Sequence, residues 1–312
     1  MWRRLKTLGH RVSRDVVLLA MRFVDQNAVA ARKRQRLKRR DYASPGPNLC
    51  WHIDGYDKLK PFGFAIHGAI DGFSRKMLWL EVGPTNNHPQ VTALYFVNTM
   101  LDLRKVPCLV RCDRGTENVH IEKIQKFIRR NGDDEFAGLN SFLYGRSTGN
   151  QRIEAWWSIL RRKCTDFLIN KFRHMQSVGL LDTSDPVHVE CLRYCFMARL
   201  KFELTRIRTE WNSHRIQANK RYGLVPGKPD KLYFLPQDVE VTSFEKQYVE
   251  EDLVKIADEL EHDEGAPDIV NPDFVRLAHT LLPHHKDPAA FDEGLQLYGD
   301  ILQAILDFEN AN

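Results

Sequence analysis

Two hydrophobic periods divide this chain. From residue 49, short apolar runs separated by turn residues predict strands: LCWHIDGYD ends its apolar run at Asp54, KLKPFG turns, and FAIHGAIDG and KMLWLEVG complete an antiparallel meander of three strands. The spacing then changes to three and four. Over 89–105 the positions Val91, Leu94, Tyr95, Val97, Met100 and Leu101 predict a helix. A short apolar run, LVRC, stops at Asp113 in a charged glycine turn, 119–130 predicts a second helix, and SFLYG predicts a fifth strand.

Beyond it, Gly149 and Asn150 start a long helix whose apolar stripe reads Ile153, Trp157, Leu160, Cys164 and Phe167. The other face of that helix carries Glu154, Ser158, Arg161 and Arg162. Three hairpin strands, then helix, strand, helix, strand and helix, make an α/β fold with a mixed five-stranded sheet flanked by helices.

The ends of the chain differ from this middle. Residues 1–43 hold thirteen Lys or Arg against three Asp, and the segment LKTLGHRVSRDVVLLAMRFVD has the outline of the latter part of a helix-turn-helix. Gly9 marks its turn, Val12 packs beneath, Ser13 is the N-cap, and Val16, Leu19, Ala20 and Phe23 share one face. Seven of the nine residues Arg32–Arg40 are basic, namely Arg32, Lys33, Arg34, Arg36, Lys38, Arg39 and Arg40, which suits a DNA arm, a nuclear import signal or both. SPGPN at 44–48 is a linker opening the next domain.

A helical segment is expected over 191–221, and two or three acidic amphipathic helices after residue 240. The organisation expected is a basic helical segment (1–43), a core with its following helices (44–220), a linker (221–239) and an acidic helical tail (240–312).

Charge sharpens this division. The net charge of +5 is the balance of 46 basic and 41 acidic residues, but 18 of the acidic and only 4 of the basic ones fall within 240–312. The preceding three quarters, with 42 basic and 23 acidic residues, have the composition of a polyanion binder. No apolar run of about 18 residues predicts a membrane span, and the Arg-rich start is unlike a secretory signal. A soluble, non-secreted protein is expected. Six cysteines without CxxC spacing point to reduced core residues rather than zinc knuckles or disulfides.

The chemistry centres on three acids. Asp54 ends the first strand, Asp113 the fourth, and Glu154 opens the helix beyond the fifth; parallel first and fourth strands would set the two aspartates side by side with Glu154 against them. Hard divalent ions bind carboxylate oxygen, and a pair of them about 3.5–4 Å apart suits in-line displacement at a phosphodiester. Asp54 would bridge two ions, Asp113 complete one and Glu154 the other. Asn150, Gln151 and Arg152 at the helix start, and Arg161, Arg162 and Lys163 further along, are candidate phosphate contacts. Asp71 reads as a turn former near Arg75, Glu117 and Asn118 as helix caps, His52 and His67 as core, and Trp156 as a core residue at the stripe's edge.

The motifs WHIDGYDK, IDGFSRKMLWLEV, VRCDRGTEN and GNQRIEAWWSILRR, in this order, resemble the catalytic core of the integrase and transposase family with an Asp-Asp-Glu triad on an RNase H-like fold. They lie within residues 44–220 and look closer to transposon-derived integrase-core proteins than to retroviral enzymes. The intervals of 59 residues between Asp54 and Asp113 and 41 between Asp113 and Glu154 suit that family.

The resemblance implies Asp54, Asp113 and Glu154 as catalytic, metal-binding acids, two Mg2+ or Mn2+ ions, DNA ends as substrate, strand transfer by a free 3′ hydroxyl, and a homo-oligomer, while the basic run of 32–40 leads to the nucleus as the expected location. It also places Arg161 where relatives hold DNA. The chain departs from the retroviral pattern in lacking a His-His-Cys-Cys module in residues 1–43, in Arg114 and Thr116 of the CDRGTEN stretch, and in its acidic tail, for which a basic protein partner, a second subunit or the chain's own basic face are all open. An active DNA-recombining enzyme, a catalytically silent nuclear nucleic-acid-binding or protein-interaction protein, and a structure-selective nuclease are the readings this sequence carries.

Overall fold

The computed structural model describes residues 1–26, 44–145, 150–218, 224–262 and 267–311. The basic residues at positions 32–40 lie outside these. The chain divides into two units, Met1–Tyr42 and Ala43–Asn312.

In the first unit, α1 (Trp2–Thr7) and α2 (Arg14–Val24) are joined through Gly9, whose φ of 84° favours a residue without Cβ. Ser13 caps α2, its hydroxyl accepting from the Val16 N–H at 3.2 Å. The apolar face differs from the sequence reading. Val16, Leu19 and Phe23 are exposed, Phe23 at 94%, while Val17 is buried.

The second unit is built on a five-stranded sheet ordered β3-β2-β1-β4-β5, with β1 Cys50–Tyr56, β2 Ala65–Asp71, β3 Met77–Gly83, β4 Leu109–Cys112 and β5 Phe142–Tyr144. β1, β2 and β3 pair antiparallel, whereas β1 with β4 and β4 with β5 pair parallel. Parallel neighbours need a crossover, supplied by α3 (Pro89–Leu103) between β3 and β4 and by α4 (Val119–Ile128) between β4 and β5. β1 does not end at Asp54. Gly55 and Tyr56 remain paired with His67 and Ile66, and a 3-10 turn, Asp57–Phe62, closes on Gly63.

Alternation along β1 divides the core. Trp51 and Ile53 face α3 and α4, packing with Phe96, Val97, Met100 and Ile121. Tyr56 lies in the cluster on the other face, with Ile153, Trp156, Trp157 and Leu160 of α5 (Gln151–Leu160) and Phe196, Leu200 and Leu204 of α7 (Pro186–Ser213). Between α5 and α6 (Asp166–Ser177) lies a π-helical turn, Arg161–Thr165. Its extra residue rotates α6 relative to α5. The buried stripe therefore continues through Thr165, Ile169 and Phe172, leaving Phe167 52% exposed, contrary to the regular 3.6-residue extrapolation. Trp156 is fully buried, edge-on to Trp157 and Trp211, and offers no surface to a base or partner.

α7 begins earlier than the spacing predicts because Asp185 caps it, accepting from the Val187 N–H, with Pro186 at its first position. Near its end, the Asn212 side chain accepts from the Met77 N–H at 2.8 Å and donates to the Met77 C=O at 2.9 Å, covering part of the edge strand. Asp71 is a turn former: it accepts from the backbone N–H groups of Asn48, Phe73 and Ser74 and from the Ser74 hydroxyl. All six cysteines are free, and five are buried.

The segments expected as linker and acidic tail pack against the sheet and its helices. α8 (Pro229–Phe234) buries Tyr233, whose hydroxyl donates to Asn48 at 2.6 Å. α9 (Glu250–Glu261) places Leu253 and Ala257 in the cluster with α3. α10 (Pro272–Leu281) and α11 (Phe291–Ala311) bury Phe274, Ala278, Leu297, Tyr298 and Ile301 in the cluster with α7. The tail is acidic outside and apolar inside, and its helices join both clusters, one on each face of the sheet. Among the described residues, no helix is long and apolar enough to cross a membrane.

Leu253→Ala removes a fully buried side chain and should cost about 2–5 kcal/mol. Urea unfolding monitored at tryptophan should move as one transition; a change confined to a separate tail transition would contradict the shared core. His67, buried and accepting from Trp79 Nε1–H at 3.1 Å, is pushed down to about 4 by burial. Between about pH 4 and 6.5 the unfolded chain binds a proton that the folded chain does not, so this histidine removes stability as pH falls, by at most about 1.4 kcal/mol per pH unit. Relative to the parent, His67→Gln should gain stability on acidification through that window, measured by denaturant midpoints; a pH-independent difference would refute this assignment.

Candidate functional site

Asp54, Asp113 and Glu154 come from three elements. Asp54 lies within β1, where its backbone faces Gly68 across the ladder. The absence of a side chain at Gly68 matters, because a Cβ there would stand 3.0 Å from the Trp157 ring and 3.2 Å from the Trp79 carbonyl oxygen. The indole of Trp157 is thereby free to lie against the sheet, and its Nε1–H donates to Asp54 Oδ2 at 2.7 Å. Asp113 comes directly after β4, in a turn where the Gly115 N–H bonds the Asp113 carbonyl at 3.1 Å. Glu154 stands in the first turn of α5, on its exposed side.

The acids sense one another. Asp54 is pushed up to about 7, chiefly by burial and then by the charges of Asp113 and Glu154; the Trp157 hydrogen bond opposes the rise. Glu154 is also raised, by burial and by Asp113, with Lys58 pulling the other way. Glu117 is raised by burial and by the neighbouring Asp113 and Asp57. These acids thus feel one another's charge, with Lys58 opposing at Glu154 and Lys60 at Glu117.

Carboxylates are the donor type a hard divalent cation takes, and a cation would replace their repulsion by attraction. The ligand set is not closed in this arrangement. Among the described residues, no three His, Cys, Asp or Glu side chains are grouped so that they could hold one metal ion.

Several residues read from sequence as phosphate contacts have other partners. Asn150 is buried, sharing a hydrogen bond with His52 Nδ1 at 2.8 Å and donating to the Ile53 carbonyl at 2.7 Å. Its amide anchors the helix start to β1 and is not presented to a ligand. Arg152 donates from Nε to the Gly72 carbonyl at 2.8 Å, joining α5 to the β2–β3 turn. Arg161 pairs with Asp166 at 2.7 Å, and Lys163 with Glu210 at 3.0 Å. Arg161 and Arg162 are exposed and Gln151 is half-buried. Asn118 occupies the cap position of α4 without capping by its side chain, which instead donates to Glu117 at 2.7 Å.

Two contributors escape the sequence reading. The spacing of Trp157 places it in the core, and nothing in that spacing signals that its N–H meets Asp54. Lys58, four residues beyond Asp54 in what reads as a turn, is the cation whose charge reaches Glu154; its place in WHIDGYDK is the one available signal.

The integrase core domain family model matches residues 41–234, and the chain belongs to that family. The five-stranded mixed sheet flanked by helices is consistent with the family's RNase H-like fold. Comparison with curated proteins gave no match.

Since Asp54 holds its proton more tightly in the folded than in the unfolded chain, the metal-free fold loses stability as pH rises from about 4 to 7. Asp54→Asn should therefore become progressively more stable than the parent over that interval, as read from denaturant midpoints. A flat difference would show that Asp54 is neither desolvated nor crowded by its neighbours.

Proposed function

We propose that this chain is a polynucleotidyl transferase of the integrase and transposase type, cleaving DNA or joining DNA ends. The observation that supports the reading is that Asp54 is raised by burial and by the charges of Asp113 and Glu154, and Glu154 by burial and by Asp113. Phosphodiester chemistry needs such a concentration of negative charge only where cations are to be held beside a polyanionic substrate. Family membership supports the same reaction class.

Asp54, Asp113 and Glu154 would hold two Mg2+ or Mn2+ ions, which supply activation of the attacking oxygen and stabilisation of the leaving oxygen when bound. The chain's own groups prepare the place. Trp157 fixes the Asp54 carboxylate in one orientation and favours its ionised form. Asn150 and Arg152 tie the first turn of α5 to the sheet, so that Glu154 is held by the fold rather than by a loop. Arg162 and Gln151, with the basic residues of 32–40, are the proposed DNA contacts, setting affinity and salt dependence without reading sequence. A homo-oligomer acting in the nucleus, and a protein partner for the acidic surface of the tail, complete the proposal.

A second reading has its own observation. The carboxylates do not form a closed metal-ligand group among the described residues, which favours a catalytically silent protein that keeps the fold to bind nucleic acid or partners.

One experiment separates the two. Purified chain is incubated with labelled duplex ends in Mg2+ or Mn2+, beside Asp113→Asn and Glu154→Gln. Enzymatic function predicts nicked or joined products that fall at least about 100-fold in either variant, equivalent to about 2.7 kcal/mol of transition-state stabilisation. Equal products from parent and variants would defeat the assignment, and DNA binding without products would establish the silent reading.

A further inference from the structure

A separate group of metal-type donors lies where the tail crosses α7. The Tyr194 hydroxyl is 2.5 Å from His285 Nε2 and 3.4 Å from His279 Nε2, bringing two imidazole nitrogens onto one oxygen. The two imidazole rings are 5.0 Å apart. Tyr194 belongs to α7, His279 to the last turn of α10, and His285 to the connection leading to α11.

The orientation of His285 is itself determined. Its Nδ1 lies 2.5 Å from the Leu282 carbonyl, a group that can only accept, so Nδ1 carries the proton and Nε2 presents a lone pair. A backbone carbonyl fixing the tautomer of an imidazole in this way is the usual support behind a metal-binding histidine. The Tyr194 hydroxyl has one proton and can satisfy one such lone pair. His279 is exposed and Tyr194 and His285 are half-buried, so an ion from solvent can reach all three. The charge of Asp287, two residues beyond His285, also reaches Tyr194.

We propose that His279 and His285, with the oxygen of Tyr194 beside them, bind a divalent transition metal of the zinc class and clamp the connection between α10 and α11 onto α7. Imidazole nitrogen selects Zn2+, Co2+ or Ni2+ over Mg2+. Among the described residues, no third His, Cys, Asp or Glu joins the group, so water fills the remaining position and the affinity is below that of a four-ligand structural zinc site. The ion holds together segments far apart in sequence, which stabilises the folded tail by linkage. This inference does not rest on the DNA chemistry proposed above.

The test uses the full chain, free of any histidine tag, titrated with Zn2+ by calorimetry and with Co2+ by visible absorption. One saturable site is expected, with a rise in melting temperature and slower hydrogen exchange across 272–295. His279→Ala and His285→Ala should each weaken binding at least about tenfold, Tyr194→Phe less, and the neighbouring His284→Ala not at all. Excess Mg2+ should leave the site occupied by Zn2+. Metal-free melts establish that each variant folds; if His285→Ala does not, the exposed His279→Ala carries the comparison. No saturable binding, or equal binding by parent and both histidine variants, would overturn the proposal and leave a purely hydrogen-bonded Tyr-His-His cluster.

Discussion

The contact between the Trp157 indole and the Asp54 carboxylate joins the hydrophobic core to the candidate chemistry. A carboxylate set into a sheet loses much of its hydration, and two further acids nearby make its ionisation harder still. One N–H from a buried helix offsets part of that cost. The same helix that seals the core over β1 and β2 therefore orients Asp54, a half-buried acid of the site. The glycine opposite Asp54 leaves the space this requires, so packing and electrostatics are decided by the same few atoms.

The acidic tail extends this economy to the whole second unit. Its helices carry negative charge outward but insert Leu253, Phe274, Leu297 and Ile301 among residues of the core helices. Asp252 also pairs with Arg130 at 2.9 Å, and Glu245 with Lys105 at 2.8 Å. Such exposed ion pairs add little stability; apolar burial supplies most of the attachment. The local charge reversal is thus a property of the tail's outer surface, and the tail remains part of one folded unit.

Much of the fold was legible because its signals are local. Strand and helix periods and the glycine turns fixed the order of elements, and with it the placement of Asp113 after a strand and Glu154 at a helix start. What stayed hidden lies wherever a residue's partner is remote. Asn150 reads as a helix-start residue near a phosphate until β1 supplies His52 and Ile53; Lys163 reads as a free cation until α7 supplies Glu210. One inserted residue in a π turn was enough to move Phe167 from the predicted stripe to the surface.

Taken alone, the sequence determined the α/β class, the order of the strands along the chain, the three candidate acids and the family to which their motifs point. Tertiary structure decided which charges meet, which polar groups are consumed by the fold, and that the tail closes the core. The physical reason is that periodicity reports the direction a side chain takes from its own element, whereas burial, ion pairing and a shifted carboxylate depend on what another part of the chain brings against it.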